Sequence, residues 1–534
     1  MARMHARPRP TLALTLAPVA RYCHECSEQL WADYTNYRTI TTLGGVTRFT
    51  LSIRRCPNRA CALFHRPYRP EAEAHFALPR HEFGLDVIGL VGRLRYAEHR
   101  SVPEIHEELA RWGVVLAQRT VTNLLDRYDE LRALATAAPQ RLKPLLQDQS
   151  RVVLALDGLQ PDVGHEVLWV LRDCLSGEIL LARSLLSATA GDLSALLAEV
   201  RDASPVPISG VISDGQESIR KAVAQTLPGV PHQLCHFHYL REAARPITEA
   251  DRHAKKELKK RVRGIRALER AAEGDDDLEA EIVRGYCAAV RSALTDDGRP
   301  PLAASGLKLQ ERLTEIAASL DRATARVGGL PGGLRKLRQL LQRGLEETAP
   351  LWPPVQVAYR WVKRVARLLE NKAGLSLATL RRRLGRLLTR LRQAAATTSV
   401  PLRNQLEHFI KVTRSYWSGL FWCYESADLP RTNNDLEHLF GSHKYHERRA
   451  SGRRRAAPGL VVTGAARVVA ALATRLRPEA YLDLPLDYVA HWRRLRAELE
   501  KRREARRQQG RFRRDPIKFL TRLEELLIQS SLPS

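Results

Sequence analysis

Two short apolar runs in this chain end in the same dipeptide. "RVVLALDGLQ" (151–160) rises from Val152 to Leu156 and stops at Asp157-Gly158, while "ISGVISDGQ" (208–216) runs from Ile208 to Ile212 and reaches Asp214-Gly215. Such runs read as buried strands, and an acid at the strand end lies where ligands bind in open sheets. Around them the pattern alternates. Two more strands fit "EVLWVLRDCLSGEILLARSLL" (166–186) about a Ser176-Gly177 turn, a helix fits 191–202, and Ile219, Val223 and Leu227 mark an amphipathic helix. A fifth strand is expected over "HQLCHFHYLRE" (232–242). A lone Asp-Gly is usually a turn. Two of them, each after an apolar strand, bring two hard oxygen donors to one spot if the strands are neighbours. That suits Mg²⁺ or Mn²⁺, because adjacent carboxylates without a cation repel.

The chain around this sheet is long and basic. Its 534 residues exceed one ordinary core, so three or more domains are expected. Eighty-six Lys+Arg against 59 Asp+Glu leave a net charge of +27, which favours a polyanionic partner, most often nucleic acid. Four of the eight cysteines form two close pairs near the start and the rest are scattered, which argues against a disulfide scaffold and for a reduced cytosolic compartment. The most apolar stretch, 459–476, carries Arg467 and Arg475 and reads as a core helix rather than a membrane span. The basic, then apolar start is broken by Pro18 and is not read as a signal peptide.

Cys23 and Cys26 are spaced C-x2-C, and Cys56 and Cys61 are spaced C-x4-C. Strand-forming residues around a Gly-Gly turn lie between the pairs at 41–55. Two such knuckles on a short sheet suit a closed, structural tetrahedral zinc site, with His24 and His65 as substitute ligands that four thiolates make unnecessary. Next, Ser101 can cap a helix bearing Pro103, Ile105 and Leu109; Trp112-Gly113 breaks it, and 118–134 resumes with helical spacing. That is a helix-turn-helix pattern, with Gln118, Arg119, Thr120 and Asn123 at the groove-facing start of the second helix.

Beyond the sheet, 245–425 is helical in pattern, with Leu/Ile stripes and Arg/Lys outside. The acidic run 273–281 reads as a solvated face or loop. Trp352, Trp361, Trp417 and Trp422 read first as core residues of these helices and second as platforms for an unpaired base. A last helix is expected from "TNNDLEHLFGSHK" (432–444), with Thr432 as N-cap and Asp435 completing a variant capping box. Glu437 then shares a face with Asn433 and Lys444, while Leu436 and Leu439 can turn inward. A carboxylate so flanked suits a metal ligand beside a phosphodiester path. The Arg-rich stretch 491–514 adds non-specific affinity for nucleic acid.

"LDG" (156–158), "SDGQESIRKAV" (213–223), "CHFHYLRE" (235–242) and "TNNDLEHLFGSHK" (432–444) together resemble the DDE transposases of the ribonuclease H-like superfamily, in the Mutator-like branch that includes bacterial insertion-sequence enzymes. The resemblance implies a multidomain α/β protein: a zinc ribbon (1–70), a helix-turn-helix domain (71–148), a ribonuclease H-like mixed-sheet core (149–244), an all-helical insertion (245–428), the closing helix of the core (429–456) and a helical basic C-terminus (457–534). It implies Asp157, Asp214 and Glu437 as catalytic ligands of two Mg²⁺ (or Mn²⁺) ions, beside a structural Zn²⁺ on the four cysteines. Lys444, Arg448, Arg449 and Arg453 are then backbone contacts, and Asn433, Cys235 and His238 support the site; the last two either brace it or touch DNA. Implied partners are terminal inverted repeats, target DNA and a second copy of the chain, in a bacterial cytoplasm near the nucleoid and with no membrane. Two other readings share these residues: an inert DNA-binding regulator, and a metal-dependent nuclease that cuts without joining.

Overall fold

The structure is a computed structural model that describes residues 9–160, 166–274, 277–296, 298, 300–452, 458–478, 482–485 and 487–531. It opens with a three-stranded sheet of β1 (Leu12–Leu16), β2 (Trp31–Thr42) and β3 (Gly45–Arg55), in the order β1-β3-β2. β2 and β3 are the antiparallel pair expected around the Gly-Gly turn. β1, in the apolar part of the N-terminal stretch, pairs parallel to β3 from Leu12 opposite Thr47 onward. Four helices follow: α1 (Leu85–Tyr96), α2 (Val102–Arg111), α3 (Gln118–Ala137) and α4 (Pro139–Gln149). Ser101 caps α2 as expected, and the structure adds a full capping box with Glu104.

The mixed sheet comprises β4 (Val152–Leu159), β5 (Val167–Asp173), β6 (Ile179–Leu185), β7 (Ile208–Ser213) and β8 (His232–Leu234), in the order β6-β5-β4-β7-β8. β4, β5 and β6 form an antiparallel meander, and β7 runs parallel to β8. α5 (Ala190–Ala203) precedes β7 and α6 (Glu217–Thr226) follows it, as the sequence alternation predicts. β4 continues two residues past Asp157, which therefore lies within the strand, opposite Val170. The expected strand over 232–242 is mostly wrong: only His232–Leu234 is extended, and α7 (His236–Ala243) begins immediately after Cys235.

A helical run fills the interval that the sequence assigns to an insertion: α8 (Arg245–Arg261), α9 (Ile265–Ala271), α10 (Leu278–Thr295), α11 (Ser305–Val327), α12 (Gly332–Thr348), α13 (Trp352–Glu370), α14 (Leu377–Ala396) and α15 (Val400–Tyr416). The chain closes with α16 (Asn434–Ser451), α17 (Pro458–Thr463), α18 (Ala465–Leu476), α19 (Tyr488–Arg514) and α20 (Pro516–Ser531). α16 begins at Asn434, so Thr432 is not its cap. The core helix expected over 459–476 breaks at Gly464, where φ is +45° and an added Cβ would meet Ser184 Oγ at 2.9 Å.

Two compact units emerge. The first holds residues 1–209, 221–228 and 435–534; the second holds 210–220 and 229–434, with the division falling inside β7. In the first, Tyr96, Leu124, Tyr128, Ala470 and Trp492 belong to one apolar cluster, which spans α1, α3, α18 and α19. Its polar counterpart is Glu447 of α16, within 3.4 Å of Arg95 and 3.2 Å of Arg467. Burial pushes the Glu447 pKa up, but the two guanidiniums outweigh it and hold the carboxyl at about 2. In the second unit, Tyr359, Leu384, Phe409 and Leu420 belong to one apolar cluster that joins α13, α14 and α15.

Replacing Glu447 by Gln leaves buried Arg95 without its anion and Arg467 with only the more distant Asp129, and is expected to cost about 3 kcal/mol of unfolding free energy in denaturant titration. Because its pKa is depressed in the fold, this contribution is present above pH about 4.5 and fades as the pH falls toward about 2, where wild type and variant should converge.

Candidate metal and nucleic-acid sites

The two N-terminal knuckles meet. Cys23 and Cys61 sulfurs lie 3.8 Å apart and those of Cys26 and Cys56 lie 3.5 Å apart. Among the described residues these four form the one group of three or more His, Cys, Asp or Glu whose ligand atoms all lie within 4.8 Å of one another. Zn–S bonds of about 2.3 Å in a tetrahedron put sulfurs about 3.8 Å apart, so the cluster fits a tetrahedral ion. Tyr68, which the sequence gave no reason to select, donates its hydroxyl to Cys23 Sγ at 3.3 Å, and the Leu63 N–H donates to Cys61 Sγ at 3.4 Å. The Tyr68 hydrogen bond leads the causes that lower the Cys23 thiol to about 6, whereas burial pushes Cys56 up to about 12. His24 is a neighbour of Tyr68 and His65 of Arg55, consistent with four thiolates sufficing.

In the helix-turn-helix segment, Gln118, Arg119 and Asn123 are exposed and Thr120 is half-buried, while Val121, Leu124 and Leu125 face the core. His106 Nε2 lies 2.8 Å from the Leu116 carbonyl and ties the turn to α2. The start of α3 therefore offers the polar surface that groove reading needs.

The three acids are distributed over both units: Asp157 and Glu437 in the first, Asp214 in the second. Asp157 is half-buried, and its Oδ1 accepts from the Gly158 N–H at 2.8 Å. Asp214 follows β7 directly, and its Oδ1 accepts from the Gln216 N–H at 2.9 Å. Gly215 beside it has φ +85°, and a Cβ there would strike the Tyr416 ring at 2.7 Å, so the Asp-Gly pair answers a backbone demand. Tyr416 donates to the Asp214 carbonyl at 3.0 Å, and Arg220 lies over the Tyr416 ring while donating to the Gly215 carbonyl at 2.7 Å. Neither Tyr416 nor Arg220 stood out in sequence, because their roles arise from contacts more than 190 positions apart.

On α16, Leu436, Phe440 and His443 are buried, Glu437 is half-buried, and Lys444, Arg448 and Arg449 are exposed. Arg453 lies outside the described residues. In the second unit, Cys235 is fully buried and accepts from the Asn433 N–H at 3.3 Å, while its own N–H donates to the Ser213 carbonyl at 2.8 Å. Cys235 thus joins the end of β7, the start of α7 and the chain leading into α16, a bracing role. His238 is half-buried on α7 with its ring edge-to-face on Phe237. Trp352 is a core residue, donating to Thr348 Oγ1, and Trp417 packs edge-on to Phe421.

Residues 193–299 match the family model described as transposase, Mutator family. The match supports a Mutator-family transposase of an insertion sequence. It runs from α5 through Asp214, Cys235 and His238 to just past α10, and it does not extend to Asp157 or Glu437. For a transposase the implied partner is DNA. No curated protein matches the chain. Among the described residues, no helix is long and apolar enough to cross a membrane.

Purified protein is expected to carry about one zinc per chain by elemental analysis. Cys56→Ser should remove it and lower the melting temperature. Full metal content in that variant would overturn the four-thiolate assignment.

Proposed function

We propose that the chain is a DNA transposase that binds the terminal inverted repeats of an insertion sequence and performs metal-dependent strand cleavage followed by 3′-OH strand transfer. The observation that carries this reading is the strand order: β4, which bears Asp157, neighbours β7, which leads directly into Asp214, and β7 and Asp214 lie inside the segment 193–299 that matches transposases. Asp157, Asp214 and Glu437 are the ligands for two Mg²⁺ or Mn²⁺ ions, and their carboxylates are the hard oxygen donors such ions need. Bound divalent ions supply Lewis acidity and a more acidic attacking oxygen. Water opens a phosphodiester at the element end and the 3′ oxygen leaves; the freed 3′-OH then attacks a target phosphodiester and expels its 3′ oxygen.

Glu437, Lys444 and Arg448 recur at seven and eleven positions on α16, a spacing that puts them on one stripe; the cations there suit a DNA backbone running past the acid. Gln118, Arg119, Thr120 and Asn123 suit the inverted repeats, with the zinc ribbon beside them. The cytoplasm, near the nucleoid, is the compartment this function requires.

A second copy is part of the proposal, since two ends must be cut together. α20 supports it. Ile517, Leu520, Leu523, Leu526, Leu527 and Ile528 are each 47–79% exposed, and a helix of 16 residues is marginal in water without a partner. Lys518 and Arg522 precede Glu524 and Glu525, so an antiparallel copy of α20 meets opposite charges as well as an apolar face.

In Mg²⁺, on DNA carrying the element ends, Asp157→Asn, Asp214→Asn and Glu437→Gln should each lower cleavage at least a hundredfold while leaving DNA binding intact. Full cleavage in any one removes that acid from the site; cleavage without joined product in wild type would favour a nuclease. Truncation after Arg514 should halve the mass seen by sedimentation, and an unchanged oligomer would exclude α20 as the contact.

A further inference from the structure

A cleft of about 790 Å³ lies in the second unit along α13 and α14. Trp361, Arg364 and Arg367 line it from α13, and Arg383, Arg386 and Arg390 line it from α14. The arginines recur at three- and four-residue intervals, so each helix turns one cationic stripe toward the cleft, while Leu380, Leu384, Leu388 and Leu391 turn into the core. All five arginines are exposed. Among the described residues, none of them forms an ion pair with a carboxylate, and the one acid on the cleft wall, Glu370, is paired with Lys372 at 3.1 Å. Arg364 lies over the Trp361 indole, 5.1 Å from the ring centroid.

Five guanidiniums facing one concavity repel one another unless a polyanion occupies it. At about 790 Å³ the cleft has room for a short stretch of one extended chain and not for a duplex. A basic groove edged by an aromatic residue is how single strands are held without sequence preference, the backbone on the cations and a base against the ring or a guanidinium plane. The cleft also borders the chain that enters α16: Arg431 donates to the Glu370 carbonyl and Tyr424 to the Leu369 carbonyl, both at the end of α13. We infer that the α13–α14 cleft is a binding site for a single DNA strand, holding its phosphates on Arg367, Arg383, Arg386 and Arg390, with an unpaired base against Arg364 and Trp361. This deepens the transposase reading and rests on it: a strand freed at the element end is the ligand the cleft would take.

The test measures binding of the full chain to a fluorescent 15-nucleotide dT strand and to a duplex across a salt series. The variant Arg383→Ala/Arg386→Ala/Arg390→Ala should bind the single strand at least tenfold more weakly. Its slope of log affinity against log salt should be shallower by about 2, as expected for three lost phosphate contacts on a single strand. A control removes the same charge from α8 and the turn after it, as Arg252→Ala/Lys256→Ala/Arg263→Ala; these exposed cations line a different concavity of the same unit. Retention of single-strand binding in the control supports the site. Equal losses in both triples, or none in the first, overturn it. Thermal melting checks that both variants fold. The outcome is separable from that of the catalytic reading: if Asp157→Asn still cleaves, the acid assignment fails while the cleft result stands; if the acid variants are inactive and the cleft triple binds like wild type, the cleft alone fails.

Discussion

The first unit is organised around a carboxylate that cannot be left dry. Glu447 is held between Arg95 of α1 and Arg467 of α18, and Arg467 in turn lies 3.7 Å from Asp129 of α3. Asp129 is wholly buried; burial pushes it up to about 7, Arg467 pulls the other way, and Tyr96 donates to it at 2.5 Å. An unpaired charge at such depth would cost several kcal/mol, so each member fixes the next. The result is rotational. With Glu447 turned inward beside His443 and Phe440, the stripe of Glu437, Lys444 and Arg448 falls about a quarter turn to one side of the buried face of α16. A structural ion network thus sets which face of the closing helix meets solvent.

The same distinction sorts the positive charge. Arg95, Arg127, Arg132 and Arg467 are buried and consumed by internal partners: Arg127 pairs with Glu130, and Arg132 donates to the Ala473 and Arg477 carbonyls. Part of the Arg-rich stretch on α19 is spent likewise, since Arg496 pairs with Glu130 and Arg503 with Asp126, while Trp492 donates to Glu130. A net +27 therefore overstates the charge free to meet DNA on some surfaces and understates it on others. The stripes of α13 and α14 carry cations with no such internal partner among the described residues.

Much of this was legible from local pattern. The cysteine spacings, the cap at Ser101, the two strands around Ser176-Gly177 and the long helical interval all follow from residues close in sequence. What stayed hidden depends on distant contacts. The run at 232–242 alternates like a strand, yet a short apolar run is ambiguous, and Cys235 turns it into a helix by anchoring to Ser213 and Asn433. Asn433 is buried and its N–H is taken by that sulfur, which moves the start of α16 past Thr432. Leu12–Leu16 becomes a strand only because β3 presents an open edge to it. The break at Gly464 answers crowding by Ser184 and Arg502, neither of which is near it in sequence.

The helical interval between Asp214 and Glu437 is more than a spacer. Its last helix, α15, ends at Tyr416, whose hydroxyl holds the Asp214 carbonyl, and the neighbouring Ser415 carbonyl accepts from Arg220 at 2.7 Å. α15 is itself anchored deep in the second unit, where Thr413 bonds Tyr239 at 2.8 Å and Phe409 lies edge-on to the same ring. The tight turn at Asp214 depends on Gly215, and Gly215 is pressed against Tyr416. The backbone carrying one acid is thereby fixed by residues some 200 positions later. A chain built this way gives Asp214 a defined backbone position only with its helical interval in place.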